Sequence, residues 1–200
     1  LNLLKCLELA LHNGVDPVSG KQIGPKTGDP RAFTSLRQYT DAVKAQAEYF
    51  FDLLMQGYNI VLGYHINYTP NVYASLVIDD CIQNGVSVQA GGARHVYAGI
   101  AVSAPANVAD ALAAIDQLVL KEKRITLERL IQALDNDFAG EEPLRQMLLN
   151  LPPKFGNDND DVDAIAEDIV NHCARYVQRP EHRDARGGQY TLSNLSQTLN

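Results

Sequence analysis

The chain has 200 residues, of which 46% are hydrophobic, so it can form one sizeable core or part of a larger domain. Its formal charge of −7 and pI near 5.1 argue against binding to nucleic acids or to acidic membrane surfaces, because both need a dense basic face. The sequence contains no run of about 18 apolar residues and no leader-like segment. We therefore expect a cytoplasmic protein.

Residues that could carry chemistry are sparse. Cys6, Cys81 and Cys173 lie at apolar helical positions, which predicts buried, reduced thiols rather than a disulfide framework. The histidines lack the paired spacing of a zinc site. The acidic run 156–161 lacks the glycine and glutamate positions that a calcium loop requires, and we interpret it as the start of a helix. The sequence thus predicts no metal site.

The first quarter of the chain predicts two helices joined by a loop. Leucines at helical spacing indicate a helix over residues 1–11, and a Gly- and Pro-rich loop follows over 14–30. Ser35 and Gln38 resemble a capping box that begins the second helix. Its apolar positions continue to a predicted end near Gly57.

The rest of the chain predicts mainly helices with two strands. Apolar periodicity, turn residues and prolines set the boundaries. The predicted elements are a helix over 72–83, a strand over His95–Val102, a helix capped by Asn107, helices from Thr126 to about 138 and over Glu142–Asn150, a helix over Asp160–Gln178, and a strand over Tyr190–Leu199.

Several segments occur together in an order typical of one family. They are Leu7–Gly14, Thr27–Pro30, Asp79–Ile82, Gly91–Arg94, Asn107–Ile115 running into Glu122–Thr126, Leu134–Phe138, Leu144–Leu148 and Pro153–Asp158. Together they cover nearly the whole chain and resemble the pyruvate formate-lyase-like glycyl radical enzymes.

That resemblance implies an α/β fold, predominantly helical in this stretch, that is part of a ten-stranded α/β barrel. The two predicted strands would belong to the barrel wall, and the helices would pack outside it. Residues 1–200 would form part of a single domain that is incomplete at both ends. In the family, a separate iron–sulfur activating enzyme that uses S-adenosylmethionine installs a radical on a glycine. The glycine then oxidises a cysteine to a thiyl radical, which takes hydrogen from the substrate.

The resemblance places the catalytic cysteine before Leu1 and the radical glycine beyond Asn200. None of the three cysteines matches the catalytic one, so no catalytic residue is carried onto this chain, and the chain itself would bind no cofactor. The final strand corresponds to one that faces the substrate pocket in the diol-dehydratase branch. Leu195 falls at a tyrosine position of that strand, and Gln197 lies two residues later on the same face. Both are predicted substrate-binding residues.

Three functions are consistent with this resemblance. The first is a radical lyase or dehydratase that cleaves a C–O, C–N, C–S or C–C bond in a small polar substrate. The second is a fumarate-adding synthase, which would use an apolar pocket wall such as Leu195. The third is a catalytically silent helical scaffold, which would describe these 200 residues alone. The resemblance also implies a homodimer and the activating enzyme as a protein partner.

Overall fold

The computed structural model describes residues 1–194, and most of their regular structure is helical. The helices are α1 (Leu3–Leu11), α2 (Leu36–Tyr68), α3 (Val72–Val77), α4 (Cys81–Asn84), α5 (Pro105–Ala114), α6 (Leu127–Asp135), α7 (Glu142–Asn150) and α8 (Asp160–Val177). The strands are β1 (Ala98–Val102) and β2 (Tyr190–Asn194). A 3-10 turn spans Pro30–Ala32, and a π-helical segment, Ile115–Lys121, continues α5. No helix in the described part of the chain is both long and apolar enough to span a membrane.

One compact unit contains residues 1–49 and 102–173. Within it α1 packs against α5. The backbone N–H of Leu3 donates to the Ser103 carbonyl at 3.1 Å, and Ser103 N–H donates to Leu1 at 3.0 Å. The apolar stripes of its helices are buried, as helical periodicity requires. The largest buried side chains include Leu3, Leu9, Tyr39, Val43, Gln46, Leu112, Ile115, Leu118 and Ile169.

A second compact unit contains residues 50–101 and 174–193. Its two strands pair in a small parallel sheet, in which Ala98 N–H donates to the Gln189 carbonyl at 3.4 Å. The rings of Phe51 and Tyr176 stack with their centroids 6.2 Å apart. The buried apolar side chains of this unit are Phe51, Met55, Leu62, Cys81, Ala98, Ile100, Tyr176, Val177 and Tyr190.

These elements confirm a mainly helical chain with a small parallel sheet. Both predicted strands are present, although the first is shorter than predicted and spans Ala98–Val102. The second begins at Tyr190 as predicted and is described as far as Asn194. The remainder of that predicted strand, 195–199, lies outside the described residues. Membership of both strands in a ten-stranded barrel remains an expectation, because the described residues contain one two-stranded sheet.

The predicted end of the second helix is wrong. Helix α2 continues through Gly57 and ends at Tyr68. A glycine inside a helix costs only about 1 kcal/mol, and the buried side chains of Met55 and Leu62 on either side of it can offset that cost. Pro70 accounts for the actual end, because a proline disfavours helical conformation in the residue before it.

Two other helix boundaries also differ from prediction. The helix predicted over 72–83 is split into α3 and α4, because Ile78 is extended and Asp80 is left-handed with a φ of +73°. Arg94 binds the Asp80 carboxylate with both Nε and Nη2, at 2.8 and 2.9 Å. Asn107 is not a cap, since α5 begins at Pro105 after Ala104 in a left-handed conformation. Proline suits the first helical position because its missing N–H would have no partner there.

The other helices largely confirm the sequence analysis. Helix α7 has the predicted bounds, and α8 ends one residue before the predicted end. Thr126 caps α6, because its hydroxyl accepts the Arg129 N–H at 3.2 Å. At the start of α2, the Gln38 side chain accepts the Ser35 N–H at 3.2 Å, as the capping box predicts.

Candidate functional site

The three cysteines are buried and unpaired, as predicted. Cys6 on α1 is 1% exposed and Cys173 on α8 is fully buried, and both lie in the same compact unit. Burial, together with the neighbouring Cys173, raises the pKa of Cys6 to about 12. Burial likewise raises the pKa of Cys173 to about 11. Because a thiolate is the nucleophilic form of cysteine, these two side chains are unsuited to nucleophilic chemistry near neutral pH.

The acidic run at residues 156–161 leads into α8, which begins at Asp160, so it lies at the start of a helix as the sequence indicates. The Asn159 side chain accepts the Val162 N–H at 3.2 Å, and the Asp163 carboxylate accepts the Gly156 N–H at 2.9 Å. Acidic residues in the first turn complement the positive end of the helix dipole. Among residues 1–194, no three His, Cys, Asp or Glu side chains converge in a way that could hold a metal ion.

One open cleft lies within the first compact unit. It measures about 340 Å³, and the residues lining it are Leu11, His12, Asn13, Asp29, Pro30, Arg31, Glu128, Ile131 and Gln132. Its side chains mostly bind close neighbours: His12 Nε2 lies 2.9 Å from the Asp135 carboxylate, and Arg31 Nε lies 2.9 Å from that of Asp29. These pairs show no nucleophile beside a base, so the cleft offers no catalytic arrangement.

A densely hydrogen-bonded polar structure is the turn that leads into β2, residues 183–189, which we call the β2 turn. The Asp184 side chain is fully buried inside it. Its carboxylate accepts the backbone N–H groups of Arg186 and Gly188, at 2.8 and 2.9 Å. It also accepts Arg186 Nη2 at 2.5 Å and Nε at 3.0 Å. The turn is closed by a bridge between Arg183 and Gln189. Four donors on one buried carboxylate fix the conformation of the chain immediately before β2.

Electrostatics and sterics both favour this turn. Burial raises the pKa of Asp184, but the hydrogen bonds from Arg186 and from the Gly188 N–H outweigh it, and the pKa lies below its usual value. A Cβ atom at position 188 would lie 3.0 Å from the Asp184 carboxylate, so glycine suits that position. Gly187 has a φ of +81°, which other residues rarely adopt.

Strand β2 is held in place at its first residues as well. Tyr190 is fully buried, and its hydroxyl donates to the Asn59 side chain at 2.9 Å. Burial raises the pKa of this tyrosine to about 12, so it remains a neutral donor. The Thr191 hydroxyl reaches the Ala98 carbonyl of β1 at 3.5 Å. Residues predicted to bind substrate, Leu195 and Gln197, lie further along the same chain direction and outside the described residues.

Sequence reasoning missed the residues that position β2. By sequence, Gly187 and Gly188 indicate only a turn before a strand. The stretch Asp184-Ala185-Arg186-Gly187-Gly188 carries the missed signal, because an aspartate two residues before an arginine and four before a glycine can accept from both backbones in a turn. The role of Asn59 had no local signal, since its partner Tyr190 is 131 residues away in sequence.

Comparisons with known proteins identify relatives of the whole chain. The family model described as pyruvate formate lyase-like matches residues 1–200. The trans-4-hydroxy-L-proline dehydratase of Clostridioides difficile is 36% identical over 99% of this chain and 25% of its own length. The crystal structure of hydroxyproline dehydratase from that organism, with trans-4-hydroxy-L-proline bound, matches with a TM-score of 0.90 at 36% identity. That match covers 96% of this chain and 24% of the solved one.

A second solved structure also matches nearly the whole of this chain. It is the glycerol-bound form of the B12-independent glycerol dehydratase from Clostridium butyricum, with a TM-score of 0.86 and 35% identity over 96% of this chain and 24% of the solved one. The chain thus spans about a quarter of the length of the relatives it matches. A family match over every residue, together with these structural matches, shows that the chain belongs to the pyruvate formate lyase-like family of glycyl radical enzymes.

Proposed function

We propose that the protein containing this chain is a glycyl radical dehydratase that removes water from a small, polar, hydroxylated substrate. The observation that carries the proposal is the match to hydroxyproline dehydratase, 36% identical with a TM-score of 0.90. The glycerol dehydratase match supports the same class, since both relatives act on small molecules that carry hydroxyl groups. Within the bond types considered above, these relatives favour cleavage of a C–O bond.

In this proposal the chain contributes a wall of the substrate pocket and no reacting group. The hydrogen bonds of Asp184 and Tyr190 fix the start of β2. A strand fixed at its start presents alternate residues to opposite faces. Leu195 and Gln197 would therefore share one face, where we propose that they contact substrate. The leucine gives that face an apolar surface, and the amide supplies a donor and an acceptor.

The radical chemistry would come from residues that we do not assign to this chain. The buried thiols of Cys6 and Cys173 support that division, because hydrogen transfer requires direct contact between sulfur and substrate and these side chains are at most 1% exposed. We propose a homodimer, a cytoplasmic location and an S-adenosylmethionine-dependent activating enzyme as part of the same function. The fumarate-adding alternative depended on Leu195 alone, and the dehydratase relatives do not favour it.

The test is activation of the full-length protein under anaerobic conditions. After treatment with an activating enzyme and S-adenosylmethionine, we expect a glycine-centred doublet in the electron paramagnetic resonance spectrum. The activated protein is then incubated separately with trans-4-hydroxy-L-proline, glycerol and propane-1,2-diol, and NMR is used to detect the dehydrated product. Absence of the doublet would refute the radical assignment. A doublet without loss of water from any hydroxylated substrate would refute the dehydratase assignment.

The two residues that we propose to contact substrate have a matched control between them in sequence. Replacing Leu195 or Gln197 by alanine should change KM or the preference among the three substrates and leave the radical signal intact. Ser196 lies between them and would face the other way, so Ser196→Ala should leave both unchanged. If all three variants behaved alike, the proposed register of the strand would be wrong.

A further inference from the structure

The end of α2 and the whole of α3 present an unusual surface. Between Asp52 and Asp79 the sequence contains no Asp, Glu, Lys or Arg, although 20% of the chain's residues are charged. Many apolar side chains of this stretch are nevertheless exposed. On α2 they are Leu53, Ile60, Val61, Tyr64 and Tyr68, and on α3 they are Val72, Tyr73, Leu76 and Val77. We call these nine side chains the α2–α3 apolar face.

The spacing of these residues gives each helix an outward apolar stripe. On α2 the five exposed residues follow one another at intervals of seven, one, three and four positions, which place them on one side of the helix, while Met55 and Leu62 are buried on another side. A helix that is apolar on all sides is normally buried. Helix α3 is more extreme, because none of its six residues is buried. Tyr73 is 86% exposed and Val77 is 82% exposed.

The face is held in a defined conformation. The Asn71 side chain caps α3 by accepting the Ala74 N–H at 3.0 Å. The Asn71 N–H donates to the Gln89 side chain at 3.0 Å, and the Ser75 hydroxyl accepts the Val88 N–H at 3.0 Å. The rings of Tyr64 and Tyr68 lie 5.2 Å apart. Polar contacts thus fix α3 from one side and leave its apolar side chains pointing away from the unit.

Soluble proteins rarely leave an apolar surface of this extent open, and such patches usually mark an interface. The lengths of the related proteins indicate what covers the α2–α3 apolar face. The relatives contain this fold at TM-scores of 0.86 and 0.90 within chains about four times as long. A surface from the same polypeptide acts at a high effective concentration, which favours it over any separate partner. An uncharged, apolar segment is the chemistry that would match this face, since a charged partner would lose its hydration without gaining an ion pair.

We propose that the α2–α3 apolar face is an intramolecular docking surface, covered in the full-length protein by an apolar segment of the same polypeptide outside these 200 residues. The proposal depends on family membership and on packing. It does not depend on the reaction, so it stands or falls separately from the dehydratase assignment.

Thiol labelling of the full-length protein tests this proposal, with Val77→Cys on the face and Val18→Cys as the matched control. Val18 is also valine and is 90% exposed, but it lies in the polar loop before α2. The unsubstituted protein gives the background from native cysteines. We expect a maleimide to label Val77→Cys about tenfold or more slowly than Val18→Cys in the native protein, and both at one rate in denaturant.

Two outcomes would overturn the proposal. Equal labelling of both variants in the native protein would mean that the face is open. The second outcome is protection of Val77→Cys that disappears on dilution. If gel filtration shows a dimer dissociating over the same concentration range, a second copy of the protein covers the face. Tyr73→Cys provides a second position on α3 if Val77→Cys does not fold. Protection that is independent of concentration would support coverage by the same polypeptide.

Discussion

Helices α5 and α3 differ sharply in how their apolar side chains are used. Both are short and rich in apolar residues. In α5, the side chains of Val108, Ala109 and Leu112 are fully buried, and Ala113 and Ala114 are nearly so. In α3, no side chain is buried, and Val72, Tyr73, Leu76 and Val77 face outward. The difference therefore lies in whether the described residues supply a partner.

This contrast shows which parts of the chain are self-sufficient. Helix α5 packs against α1, and the β2 turn satisfies its buried carboxylate with its own donors. Helix α3, in contrast, is held by hydrogen bonds, and none of its side chains is buried. Substitutions in α5 or in the β2 turn should lower the free energy of unfolding by an amount that depends on contacts within this chain. Substitutions on the α2–α3 apolar face should destabilise the protein only when that face is covered.

The largest effect is expected for Asp184→Asn in the β2 turn. The substitution leaves the Arg186 guanidinium, whose side chain is 11% exposed, without its anionic partner. Removing one member of a buried ion pair costs about 3–5 kcal/mol. Asp80→Asn is the control, because its pair with Arg94 has the same chemistry but is far more exposed and should contribute less than about 1 kcal/mol. Denaturant unfolding of both variants measures the difference.

The same pair predicts a dependence on pH. The folded-state pKa of Asp184 is below its usual value, so the ionised carboxylate stabilises the fold above the unfolded pKa of about 4. That stabilisation is lost as the pH falls through the folded-state value. The difference in unfolding free energy between the unsubstituted protein and Asp184→Asn should be constant from pH 5 to 7 and decrease below about pH 4. A difference that grew with acid would contradict the assigned pair.

The next largest effect is expected for a buried leucine, compared with an exposed one. Leu112→Ala in α5 removes a fully buried side chain and should destabilise the protein by about 2–5 kcal/mol. Leu76→Ala in α3 removes a side chain that is 56% exposed in this structure. An open face predicts a cost within about 0.5 kcal/mol for Leu76→Ala. A covered face predicts more than about 1 kcal/mol in the full-length protein, and urea unfolding distinguishes the two.

Much of the fold followed from local sequence, and the differences have identifiable causes. The ends of α1 and α7 and the beginning of α6 follow from sequence, because Asn13-Gly14, Pro152 and Thr126 act on their nearest neighbours, whereas α6 ends at Asp135 and not near 138 as predicted. The break between α3 and α4 was missed because the extended Ile78 and the left-handed Asp80 carry no local signal such as a Gly or Pro. The continuation of α2 past Gly57 was missed because packing at Met55 and Leu62 outweighs glycine's low propensity.

The candidate site was harder to predict from the sequence than the fold. Burial of the three cysteines was correctly predicted from their apolar helical positions. The residues that fix β2 were not, since Tyr190 and Asn59 meet only in the folded chain. Leu195 and Gln197 remain predictions from family resemblance. Periodicity predicted which apolar residues share a helix face, but it could not show that one apolar face is left without a partner among the described residues.

The smallest effects are expected for substitutions of two helix-capping residues, Thr126 and Asn71. Thr126 caps α6, which buries Leu127, Leu130 and Ala133, so Thr126→Ala should cost about 1 kcal/mol and Thr126→Ser should recover most of it. Asn71 caps α3 with the same kind of bond. If the α2–α3 apolar face is open, α3 can unfold locally and Asn71→Ala should barely change global unfolding. If the face is covered, α3 unfolds with the rest of the protein, and Asn71→Ala should cost as much as Thr126→Ala. Chemical denaturation of the full-length variants, with hydrogen exchange at Ala74, separates these outcomes.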